Sequence, residues 1–169
     1  EDSTLTWAWT TNYWLDTQTS GSGSVDVVDG WFAAGDSVDV YATAATNWHF
    51  AGWSGTTNGC TVFGTQITVP MDQAREITAV FVLDDHTLTI ATAHGAGDPP
   101  AGNYSYPYGT ALSCALTNSP VTGVGTQYVC VGWEGTGSVT NGAGPNTSFV
   151  LNEDSTLTWA WTTNYWLDT

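Results

Sequence analysis

Large apolar residues fall on alternate positions in two stretches that align without a gap. In ITVPMDQAREITAVF (67–81) and TSFVLNEDSTLTWAW (147–161), Val69 meets Phe149, Met71 meets Leu151 and Ile77 meets Leu157. Ala79 then meets Trp159 and Phe81 meets Trp161. Each stretch predicts a strand, a polar turn and a second strand with one apolar face. A second correspondence lies upstream, between AGDSVDVYATAATNWHFAGWSG (34–55) and YGTALSCALTNSPVTGVGTQYVCVGWEG (108–135). Gly35 matches Gly109, and Gly52–Trp53 matches Gly132–Trp133, with a longer loop in the second copy. Thr, Val, Gly, Trp and Tyr dominate and no helical period is present. The pattern predicts an all-β chain built from two small consecutive modules.

A longer repetition overlies this one. The seventeen residues EDSTLTWAWTTNYWLDT occur at 1–17 and again, unchanged, at 153–169, an offset of 152 residues from Glu1 to Glu153. Either one protein carries the same element twice, or the chain is a window on a tandem array whose period is that offset. The second reading divides the chain four ways. Residues 1–10 are the last strand of a preceding module, 11–83 the first module, 84–162 the second, and 163–169 the start of the next. Leu5, Trp7 and Trp9 then lie on one face of a strand that ends a module, as does their copy from Leu157. That strand is the predicted contact with a neighbouring repeat or an identical subunit. The linkers VLDDH after Phe81 and TTN after Trp161 are short, which favours a stiff rod.

The module alignment assigns the core. Trp53, Trp133, Trp159, Trp161 and Phe81 take inward positions. Val40 and Phe50 are expected as core neighbours on paired strands. Cys114 and Cys130 stand in their places in the second module. This suggests a Cys114–Cys130 disulfide, worth about 3 kcal/mol for a loop of this length, in an oxidising compartment outside the cytoplasm. The alternative is two buried free thiols. Cys60 is left over, either as a buried thiol or as a bridge to another chain.

The assembled pattern, G…V-x-V-x-A…F-x-GWSG…V-P-M-x…I-T-A-x-F, resembles the divergent internalin-B-type B-repeat, also called the Listeria–Bacteroides repeat. The match in the first module rests on Gly35, Val38, Val40, Ala42, Phe50, Gly52, Trp53, Ser54, Gly55, Met71, Thr78, Ala79 and Phe81. The second module matches through Gly109, Leu112, Cys114, Gly132, Trp133, Gly135, Leu157 and Thr158. The resemblance implies a compact, β-rich, β-grasp-like module. It also implies tandem occurrence in large bacterial cell-surface or secreted proteins, as spacer, stalk or adhesive element, with no general catalytic activity. The tryptophan load and the two-module period depart from that pattern.

Charge narrows the partners. The chain has 16 Asp and Glu against 1 Lys or Arg, for a net charge of −15. Nucleic acid and anionic membrane surfaces are disfavoured, because both need basic side chains. No apolar run is long enough to span a bilayer. The absence of lysine rules out Lys–Asn isopeptide staples. His49, His86 and His94 show no metal-ligand spacing, and there is no C-x-x-C, so no structural zinc site is expected. GWSG around Ser54 is not a nucleophile elbow. The expectation is a non-enzymatic chain without a cofactor. Calcium is the one candidate ion, through Asp84 and Asp85 in the linker, although no loop has EF-hand spacing. Ten tryptophans raise a second reading, a carbohydrate-binding module of a secreted protein, with Trp14 (and its copy Trp166), Trp31 and Trp48 as candidate exposed aromatics for glycans.

Overall fold

A computed structural model describes residues 2–167, and every regular element among them is a strand. The chain divides into two compact units, one ending at Leu83 and one beginning at Asp84. The first unit contains β1 (Asn12–Ser20), β2 (Gly23–Val25), β3 (Gly30–Ala33), β4 (Ser37–Ala44), β5 (Trp48–Gly55), β6 (Thr61–Phe63), β7 (Gln66–Pro70) and β8 (Arg75–Leu83). They form two sheets, ordered β3-β1-β8-β5 and β2-β4-β7-β6. Leu15, Val40, Ile67, Val69, Met71 and Ile77 come from both sheets and are fully buried in one cluster, so the sheets are stacked on these side chains. Each such burial contributes about 2 kcal/mol. Period-two alternation selects the face: Ile77, Ala79 and Phe81 of β8 are buried while Glu76 is exposed. The first and last strands lie side by side and parallel, from Leu15 opposite Arg75 to Ser20 opposite Val80. Parallel neighbours need a crossover, and here the second sheet supplies it.

The second unit repeats the plan. Its strands are β9 (Asp85–Thr92), β10 (Gly97–Asp98), β11 (Gly102–Pro107), β12 (Thr110–Leu116), β13 (Val121–Gly123), β14 (Thr126–Thr136), β15 (Gly142–Ala143), β16 (Asn146–Leu151) and β17 (Ser155–Tyr165). The larger sheet runs β11-β9-β17-β14-β13, with β15 on β14, and the smaller runs β10-β12-β16. Again the first and last strands are parallel, with Leu88 opposite Ser155 and Ile90 opposite Leu157. The core is Leu88, Ile90, Cys114, Leu116, Val139, Leu151, Leu157 and Trp159. Val139 lies outside both aligned stretches, and its place in the core was not visible in them.

The GW pair has a geometric cause. In β5 the register against β8 shifts between Phe50 and Gly52, and in β14 the register against β17 shifts between Cys130 and Gly132. Both glycines have φ of 153°, a conformation that side-chain-bearing residues rarely adopt. The shift is a β-bulge, which adds one residue and re-aims the side chains beyond it. It brings Trp53 opposite Ala79 and Trp133 opposite Trp159.

One sequence expectation is corrected by the topology. Val40 and Phe50 do not sit on paired strands: β4 pairs with β2 and β7, whereas β5 pairs with β8. Alternation marks an inward face but not the sheet to which that face belongs. Among the described residues, 2–10, the segment read as the last strand of a preceding module, are exposed and carry no strand. Glu1, and Asp168 and Thr169 of the segment read as starting a next module, lie outside the described residues.

Candidate functional site

The repeated phrase takes two structures. In the second copy, Ser155, Leu157 and Trp159 point into the core at 3%, 0% and 2% exposure. Trp161 packs against the same cluster and its indole N–H donates to Thr92 Oγ1 at 3.0 Å. This strand is central, parallel to β9 on one side and antiparallel to β14 on the other. In the first copy the matching Leu5, Trp7 and Trp9 are exposed by 77%, 74% and 90%. The second half of the phrase reverses the pattern. Leu15 is fully buried in β1 and Tyr13 packs on the same core, while their copies Leu167 and Tyr165 are exposed. So the first half of the phrase completes a unit of the second kind, and the second half opens a unit of the first kind.

The two halves are in phase. Leu5, Trp7, Trp9, Tyr13 and Leu15 share parity, so one extended strand presents them all on one face. Strand structure also overlaps between the copies. β17 runs to Tyr165 and β1 starts at Asn12, so Asn-Tyr is strand in both. The entry to each unit is built alike: Thr11 O accepts from Ala34 N–H, and Asp84 O accepts from Tyr108 N–H, both at 2.8 Å. A single residue, Asp84, separates β8 from β9. A surface cavity of about 510 Å³ lies beside the second copy, lined by Thr122, Gln127, Asn164, Tyr165 and Trp166 among others, with no carboxylate, imidazole or thiol.

Each last strand begins on a polar latch that gave no signal in the alternation. In the first unit it is Arg75, buried at 3% exposure. Its Nε donates to Pro70 O at 2.8 Å, and Nη1 donates to Thr56 O and Asn58 O at 2.9 and 2.7 Å. Nη2 pairs with Asp72 Oδ1 at 2.7 Å. One guanidinium thus ties the loop after β5 to the turn before β8. In the second unit the equivalent position is Ser155, whose Oγ accepts from Ser138 N–H at 2.9 Å and donates to Glu153 O at 2.7 Å. The signal for Arg75 was its being the chain's sole Lys or Arg.

The cysteines are a further correction. Cys60, Cys114 and Cys130 are all free thiols, so the Cys114–Cys130 bridge is not formed. Cys114 sits in the core on β12, whereas Cys130 precedes the bulge on β14 and its Sγ faces the carbonyl oxygens of Gly132 and Gly144. Their counterparts Val40 and Phe50 likewise pack in different places, Val40 in the Leu15 cluster and Phe50 against Ala79 and Phe81. Burial pushes the Cys114 thiol above its usual range, with Asp98 adding to the effect. Burial also raises Cys60, opposed by Arg75.

Of the candidate aromatics, Trp14 and Trp31 meet across β1 and β3 with ring centroids 5.3 Å apart, edge to face at 71°. Trp48 is not with them; it packs against the Ala42, Ala79 and Phe81 cluster. Trp166 is exposed. Asp84 is half-buried and Asp85 exposed, and among the described residues no three carboxylate, imidazole or thiol groups gather to hold a metal ion.

The fold defines a class: small all-β modules of a β-rich repeat type. Residues 13–85 are similar to the family described as the divergent InlB B-repeat domain, the family that the first module's pattern resembles. The match begins at Tyr13, where the second half of the repeated phrase enters the first unit's core. Domains of this type are typical of surface or secreted bacterial proteins. No curated protein and no solved structure matches the chain significantly.

Proposed function

We propose that the chain is a structural repeat unit of a large extracellular tandem-repeat protein, a stalk, fibre or adhesive surface filament, in which EDSTLTWAWTTNYWLDT is the joint between successive periods. The supporting observation is the complementary burial of the two copies. Leu157 and Trp159 are buried where Tyr165 and Leu167 are exposed, and Leu15 is buried where Leu5 and Trp7 are exposed. A copy flanked by a unit on each side buries both halves. The reading assigns no reaction to the chain.

A chain of two successive periods tests this. Amide exchange across its internal copy of the phrase is expected to be slow in both halves. In the copy at residues 1–17 only the half from Asn12 should be protected. An internal copy that exchanges as fast as residues 2–10 sinks the proposal. The glycan reading has less support, since Trp14 and Trp31 meet edge to face rather than offering coplanar rings to a sugar.

A further inference from the structure

We infer that the segment after the GW strand of each unit is a strap with two docking positions, and that one residue, Val62 or Gly142, selects between them. Residues 53–81 and 133–161 align without a gap, so 57–64 and 137–144 are the same segment in the two units. They take different partners. In the first unit the segment forms β6 and turns forward onto β7, with Val62 opposite Ile67. In the second it forms β15 and turns back onto β14, with Gly142 opposite Trp133 and Ala143 opposite Gly132. Beyond the segment the two chains coincide again: Thr65 O accepts from Ala42 N–H at 2.9 Å, and Pro145 O accepts from Leu116 N–H at 2.8 Å. The difference is confined to the strap.

The back position demands glycine. A Cβ on Gly142 would fall inside the Trp133 ring, and the first unit has Val62 at that place. The back position also feeds the tryptophan: the Trp133 indole N–H donates to Thr140 O at 2.8 Å. Cys60 aligns with Thr140, but its segment has gone to β7. Among the described residues the Trp53 indole N–H is buried without an acceptor. A buried donor left unpaired is costly, so the first unit forgoes this bond because Val62 bars the position that supplies it. Arg75 then secures the forward position by holding Thr56 O and Asn58 O. In the second unit Val139 enters the core instead, and Ser155 holds Ser138 N–H. The two positions leave different strands at an edge, β5 in the first unit and β16 in the second. An edge strand carries unpaired N–H and C=O groups. The strap therefore decides which strand of a module stays open to backbone pairing. The comparison lies within each unit and stands whether or not the repeated phrase is a joint.

The experiment reads nuclear Overhauser contacts and indole N–H exchange in full-length chains. In one chain residues 57–63 are exchanged for those of 137–143, together with Arg75→Ser. A second chain is the same except that Val62 is left in place. In the first, residue 62 is expected to lose its contact with residue 67 and gain one with the Trp53 ring, and the Trp53 indole N–H should exchange about tenfold more slowly. In the second, the contact with residue 67 should persist and Trp53 exchange should be unchanged. The reverse variant, Gly142→Val in the unsubstituted chain, should lose the contact between residue 142 and Trp133 and speed Trp133 indole exchange by a similar factor. Should the exchanged first unit not fold, Gly142→Val decides alone, together with Gly142→Ala, which introduces the same Cβ with the least added volume and should also part the strap from Trp133. The inference is overturned if both exchanged chains dock the strap on β5, if neither does, or if residue 142 keeps its Trp133 contact and its neighbour's slow indole exchange after either substitution.

Discussion

Leu5 and Leu157 hold the same place in the same seventeen-residue sequence, yet Leu5 is 77% exposed and Leu157 is fully buried. Local propensity is identical for the two, so the difference is tertiary. Leu157 has β9 and β14 on its flanks, and Leu5 has neither. The same substitution should therefore have unequal costs. Leu157→Ala is expected to destabilise the second unit by about 3 kcal/mol, through lost burial and a residual cavity. Leu5→Ala should change stability by less than about 0.5 kcal/mol. Urea unfolding followed by tryptophan fluorescence measures both, and equal losses would contradict the two environments.

Arg75 makes a sharper prediction because its role is polar. Removing the guanidinium leaves the carbonyls of Pro70, Thr56 and Asn58 without their donor. Arg75→Met is expected to cost the first unit about 3 kcal/mol. Arg75→Lys should recover only part of this, since an ammonium cannot reproduce a planar fork. The second unit, latched through Ser155 hydroxyl bonds, should unfold at an unchanged midpoint. Calorimetry with two resolved transitions checks this, and a shift of both together would show that the effect is not local.

The bulge glycines share φ but not surroundings. A Cβ on Gly52 meets nothing within 4 Å, whereas one on Gly132 falls far inside van der Waals contact with Gly142 O. Gly52→Ala thus costs backbone strain alone, about 1 kcal/mol or somewhat more. Gly132→Ala adds a backbone clash that must separate β15 from β14, and it should be the more damaging. Comparative denaturation midpoints decide the order.

These residues also mark what the sequence could and could not convey. Alternation in 67–81 and 147–161 located the closing strands and their inward residues, because a half-buried strand writes its face into every second position. The GW pair was legible as a landmark shared by the two modules, but the bulge that its glycine serves was not, because a register shift depends on the partner strand. Alternation does not say which sheet a face belongs to, and that is why Val40 and Phe50 looked like partners and their replacements Cys114 and Cys130 like a disulfide. Arg75 gave no periodic signal, since a latch needs one residue in one place. Nor could two copies of one phrase announce two environments. That distinction comes from which strands stand beside them.

Cys114 offers a test that joins the thiol chemistry to the core. The native chain, denatured without reductant, should release three reactive thiols to a disulfide reagent, since all three cysteines are free. Burial raises the Cys114 thiol above its usual value of 9.0, with Asp98 acting in the same sense. The folded state therefore holds the proton more tightly than the unfolded state. Its contribution to stability is fully present below pH 9.0 and is lost as pH rises from there through the folded value. Stability of the second unit should accordingly fall on alkaline titration above pH 9.0. Cys114→Val, which installs the residue found at the matching position Val40, removes the ionisable group and keeps a small apolar side chain. It should fold, and its alkaline loss of stability should be smaller than that of the unsubstituted chain. Equal alkaline slopes for the two chains would mean that Cys114 is not the group responsible.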